Sequence, residues 1–200
     1  MPTHRRQRGL VAALVALALA PLVGCDAVEP AQAPTDAGPL RTPDPHAWGH
    51  PVEVGSPFAD GLEVLRLEGS SSATIETVEL VGAPQIQLLG AVLLPPGREL
   101  GSIQVVYRWP PRDRDIQESD LIPAEGATID GNKAGWELFL GLRVEEVGQA
   151  DRAGVKVEYT VDGERFATVL PAFLRVCAMP AGAVLPRQCN PPENWLDAVS

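Results

Sequence analysis

Side chains able to do covalent, acid–base or metal chemistry are few in this 200-residue chain, and their spacing narrows what they could do. Three cysteines stand at positions 25, 177 and 189, and three histidines at 4, 46 and 50. His46 and His50 lie four apart in "HAWGH", a spacing that on a helix can share a metal ion. Gly49 and Pro51 oppose a helix there, so a metal role is not expected. A Ser-His-Asp mechanism needs its base held rigidly beside the nucleophile. Both histidines fall at the end of a Pro-rich stretch, outside the region that can fold, which argues against that mechanism.

Carboxylates are plentiful, so glycoside hydrolysis by a pair of acids survives on inventory alone. Acids at this density more often make solvated strand faces. The densest charged segment is "RDRDIQESD", 112–120, where Asp113, Asp115, Glu118 and Asp120 could offer oxygens to calcium. A calcium loop of the EF-hand kind wants Gly at its sixth place and Glu at its twelfth. Counted from Asp113, those places hold Glu118 and Ala124, while Arg112 and Arg114 offset the charge. An exposed loop between strands is the expectation. No catalytic residue, metal or cofactor is expected, and the chain reads as a non-enzymatic module.

Cys25 has a setting of its own. Arg5, Arg6 and Arg8 precede an apolar run from Leu10 to Val23, too short for a spanning helix and right for an export signal. Leu22-Val23-Gly24-Cys25 resembles the lipobox of bacterial lipoproteins. The resemblance covers about 25 residues and implies removal of residues 1–24 and diacylglycerol transfer to the Cys25 sulfur. It also implies a lipid-anchored place on the extracytoplasmic face of the cell membrane, since two or more acyl chains suffice for stable anchoring. The composition, rich in Ala, Gly and Pro with 14 Arg against 2 Lys, resembles lipoproteins of actinobacteria and lends no functional residues.

All 26 acids follow Cys25, together with 13 of the 16 basic residues, giving a net charge of −13 over residues 25–200. Such a surface opposes nucleic acid and anionic head groups. An envelope protein or polymer is the expected partner, beside the membrane reached through Cys25. Outside the cytoplasm, Cys177 and Cys189 are expected to pair.

Residues 25–50 are Pro/Ala-rich with almost no bulky aliphatics, and read as a disordered tether. From residue 51 to about 190, short apolar runs are split by Gly, Pro and Asp. They include 61–69, 74–82, 86–97, 102–111, 136–148, 154–170 and 172–177. In 102–111, Ile103, Val105, Tyr107 and Trp109 alternate on one face. In 136–148 the alternation slips near Glu145-Glu146, which a β-bulge would explain. Asp162-Gly163 predicts a two-residue hairpin turn. "ADRAGV", 150–155, could make one helical turn, and 191–200 forms a tail with room for a short helix. Trp109 and Trp136 are expected in core or rim, and Trp48 and Trp195 flank the domain. The fold class is all-β, an antiparallel sandwich of seven or eight strands with an immunoglobulin-like shape. The rival function is a secreted hydrolase using carboxylates.

Overall fold

The computed structural model describes residues 38–69, 72–96, 105–113, 115–131, 133–186 and 189–199. Cys25, the export signal and most of the tether lie outside them. The fold is all-β. Its strands are β1 (His46–Glu53), β2 (Phe58–Leu65), β3 (Ser72–Val81), β4 (Ile86–Leu94), β5 (Val105–Val106) and β6 (Ile122–Pro123). There follow β7 (Thr128–Asp130), β8 (Trp136–Val144), β9 (Gly148–Arg152), β10 (Gly154–Val161), β11 (Glu164–Leu170) and β12 (Ala172–Met179). They form three sheets, ordered β5-β2-β8-β4-β6, β11-β10-β3-β7 and β1-β12-β9. One apolar core takes side chains from all three, among them Leu138, Leu140, Val157, Tyr159, Leu174 and Val176.

Twelve strands among the described residues exceed the seven or eight expected. Three of the extra ones, β5, β6 and β7, are two or three residues long, too short to show a period of two. The sandwich is also not wholly antiparallel, because β1 runs parallel to β12 with His46 opposite Ala172 and Glu53 opposite Met179.

That parallel strand corrects the tether boundary. Residues 38–50 belong to the folded body: Leu40 is buried and bridges Leu67, and His46 to His50 lie in β1. The segment is poor in aliphatics because β1 is an edge strand in which His46 to Pro51 are only half-buried and Val52 alone is fully buried. Its position at the edge also tolerates Pro51.

β10 and β11 form the expected hairpin, with φ of 51° at Asp162 and 85° at Gly163. Near Glu145-Glu146 no bulge occurs; β8 ends and the chain passes to β9 in another sheet. "ADRAGV" is not a helical turn either, but the end of β9 and the start of β10. The run at 102–111 keeps only β5 among its described residues. After it the backbone bends, Tyr107 points to solvent, and Trp109 folds over Gly141 and Gly90 of the five-stranded sheet. Trp109 joins Ala59, Leu94, Ile116 and Phe139 in a second, smaller cluster on that sheet's outer face. Trp48 and Trp195 find separate partners: Trp195, in a single 3₁₀ turn, faces Phe173 at 6.4 Å.

Cys177 and Cys189 are bonded, with Cα atoms 5.9 Å apart. The bond lays the Cys189 backbone against Gly49 of β1, where any Cβ would overlap its carbonyl. Closing a loop of separation 12 restricts the unfolded chain by about 2–3 kcal/mol. Reduction should therefore lower the urea-unfolding free energy by that amount, whereas unchanged unfolding would show that the bond adds nothing.

Candidate functional site

The polar feature that stands out is inside the protein. Arg152, Asp60 and Glu63 are each 0% exposed, and burying charges is costly unless they are paired. Their meeting starts with an irregularity in β2. Asp60 lies opposite Leu140 of β8, and Glu63 opposite Leu138. Three steps on β2 thus match two on β8, so one residue is extra and the strand bulges. Without the bulge, positions 60 and 63 would face opposite sides of the sheet. With it, both face the main core. Gly61 occupies the bulge and turns toward the Phe139 ring so closely that a Cβ there would overlap it.

Arg152, the last residue of β9, supplies the cation. Its Nη1 donates to Asp60 Oδ2 at 2.7 Å and its Nη2 to Glu63 Oε1 at 3.3 Å. Nε and Nη2 also donate to the Ala172 carbonyl at 3.3 and 3.2 Å. The planar fork of Arg suits such divided recognition, which an ammonium could not copy. From β1, the Trp48 ring lies 5.4 Å from the guanidinium carbon, a cation–π arrangement in a desolvated place. His46 stacks on the same indole at 5.1 Å with planes 9° apart. Its Nδ1 donates to the Asp44 carbonyl at 3.1 Å, so in the neutral ring Nε2 is an acceptor. That Nε2 faces Glu63 Oε2 at 3.8 Å, too far for a direct hydrogen bond.

The charges do not balance if both acids ionise, since one guanidinium faces two carboxylates. Burial, only partly offset by Arg152 and reinforced by Asp60, pushes Glu63 up to about 7. Burial also raises Asp60, against the pull of Arg152. The Trp48 N–H leans toward Asp60 and favours its ionised form without reaching good hydrogen-bond geometry. A proton on Glu63 makes the cluster neutral. Its Oε2, with Asp60 Oδ1 and His46 Nε2, lacks a hydrogen-bond partner among the described residues.

The histidines therefore belong to the body, which corrects their placement at the end of the tether. They do not converge: His46 reaches the charged cluster, while His50 packs against Phe58 and Tyr107 at 6.3 and 4.8 Å. Burial holds His50 below its ordinary value. Asp113, Glu118 and Asp120 lie in the segment between β5 and β6, where Glu118–Asp120 makes a 3₁₀ turn and Ile116 is buried. Among the described residues, no three His, Cys, Asp or Glu side chains converge as a ligand set.

The chain matches no protein-family model and no curated protein. Shallow depressions of about 430, 340 and 330 Å³ are lined by other residues, and the Arg152, Asp60 and Glu63 side chains are closed to solvent. As built, the cluster ties β1, β2, β9 and β12 together.

Sequence reasoning missed all three of its charged members. Arg152 sits in a strand with no apolar alternation, and the bulge reverses the face of Glu63. One signal was available: Gly61 between Asp60 and Glu63, because glycine inside a strand often marks a bulge.

Proposed function

We propose that the protein is a lipid-anchored extracytoplasmic lipoprotein whose body serves as a non-enzymatic binding or structural module. The observation that carries this reading is the run Leu22-Val23-Gly24-Cys25 behind a basic, apolar N-terminus. The Cys177–Cys189 bond agrees with it, because disulfides persist in oxidising compartments. The closed state of the Asp60–Glu63 pair agrees with a module, since no substrate can touch either carboxyl as they stand.

The rival reading, a carboxylate-dependent hydrolase, draws on one observation: Glu63 held at about 7 is where a general acid would be useful. It would require the pair to open. Mass spectrometry of the membrane fraction should find the chain beginning at an acylated Cys25. A soluble mature form that starts elsewhere would refute the anchor. Hydrolysis of envelope glycan by the full chain, abolished by both Asp60→Asn and Glu63→Gln, would replace the module by the hydrolase.

A further inference from the structure

Among the described residues, basic side chains mostly meet an acid. Arg143 pairs with Glu145, Lys156 with Glu158, Arg165 with Glu76, and Arg175 with Asp151. Arg66, Arg108, Arg112 and Lys133 have no acidic partner among the described residues. Two of them, Arg66 and Lys133, line one depression of about 430 Å³ together with Arg41, Glu68, Gly69 and Gly131.

The backbone builds this place. The Arg41 N–H donates to the Arg66 carbonyl at 2.7 Å, and the Glu68 N–H to the Pro39 carbonyl at 2.8 Å. Leu40 and Leu67 pair between them and point into the core, so Arg41, Arg66 and Glu68 emerge on the outer side. The Arg66 stem is held from below: a Cβ on Gly135, at φ 79°, would meet its Cγ at 2.9 Å. That turn also carries Lys133. The acid present, Glu68, lies 3.6 Å from Arg41 with both side chains about two-thirds exposed. Such a pair contributes little and leaves Arg41 free to swing. Gly69, at φ 88°, has open space where a side chain would stand, so a ligand oxygen can approach its backbone.

Three cations against one acid repel each other in a chain whose acids could have neutralised them, and an anion relieves that repulsion. We propose that this depression binds a phosphate group. Two guanidinium forks and an ammonium suit its several oxygens and double charge. The phosphate has two possible sources, a soluble phosphate compound or a phospholipid head group. The second rests on the anchoring reading, in which Arg41 lies 16 residues from Cys25, at most roughly 55 Å of chain.

The test is calorimetric titration of the full chain with inorganic phosphate at low salt. Arg66→Gln combined with Lys133→Gln should weaken binding at least tenfold, whereas Arg108→Gln with Arg112→Gln should leave it unchanged. All four side chains are exposed, and unchanged melting would confirm intact folding. A second arm uses Cys25→Ser protein, which no lipid can anchor, floated with phosphatidylglycerol or phosphatidylcholine vesicles. Flotation on the anionic vesicles alone, lost with Arg66→Gln and Lys133→Gln, assigns the site to head groups; phosphate binding without flotation assigns it to a soluble compound. Absence of both responses, or equal loss in the two double variants, overturns the proposal. The Cys25 acylation result bears on the anchor alone, so the two readings fail separately.

Discussion

Replacing Arg152 with methionine should lower the urea-unfolding free energy at pH 7.5 by about 3–5 kcal/mol. Removing one partner of a buried charged group leaves the others desolvated without compensation, and that is the range such losses reach. Here the loss strands two carboxyls, both 0% exposed, and frees the Ala172 carbonyl from two donors. Against a typical domain stability of 5–15 kcal/mol, the variant would lie near the limit of folding. Two further measurements keep the result interpretable. At pH 5 the penalty should shrink, because carboxyls already raised by burial can take up protons once the cation is gone. Adding Asp60→Asn and Glu63→Gln to Arg152→Met should recover much of the loss, since no charge then remains to strand. A loss below about 1 kcal/mol would mean that water reaches the cluster and that its closed geometry is not the state in solution.

The same logic explains why the cluster specifies more than it stabilises. An apolar trio of equal volume could hold β2 and β9 as firmly. It would not demand that the β2 bulge fall at Gly61, nor that Trp48 of β1 cover the guanidinium. Each donor of Arg152 that finds an acceptor removes an alternative register, because a one-residue slip would turn Asp60 or Glu63 out of the core.

Where the local signal and the burial agreed, the fold could be read in advance. Val155, Val157, Tyr159 and Val161 alternate in β10 and are all buried, and Asp162-Gly163 tolerates the positive φ that the turn requires. β8 was as clear, with Leu138, Leu140, Leu142 and Val144 on the core face. It is buried on its other face too, under Trp109, which only the tertiary structure shows. β1 and β9 were opaque for a physical reason. Both are edge strands of one small sheet; their buried residues are Val52, Ala150 and Arg152, and Trp48 and two imidazoles are half-buried beside them. A composition reading treats such residues as solvent-facing, so the strand reads as tether and the arginine as part of a helical turn. Polar groups that satisfy one another across sheets leave no periodic trace. The Cys177–Cys189 bond is legible because a cysteine pair behind an export-like N-terminus has few other uses.

Glu63 should give the protein an unusual pH profile, with folded stability falling rather than rising as pH increases from about 4.5 to 7. An ordinary unfolded glutamate releases its proton near 4.5, whereas the folded one holds it to about 7. Between those values the native state binds one proton more than the unfolded state, so the unfolding free energy declines with pH. The contribution is fully present below pH 4.5 and lost once pH passes 7. At 1.36 kcal/mol per pH unit the decline is about 3–3.5 kcal/mol. Other groups overlap it. Asp60 acts in the same sense, with its own raised value, while His50, held below 6.5, acts oppositely by losing stability as pH falls. His46 and Arg152 face Glu63 directly, so the contribution is best isolated by difference. Unfolding free energies of the unaltered protein and Glu63→Gln, measured by urea from pH 4.5 to 8, should diverge by that amount. The glutamine keeps the shape and cannot ionise, so its profile lacks the decline. Parallel profiles would show that Glu63 titrates alike in both states, and with that the neutral cluster, its proton on Glu63, could not stand.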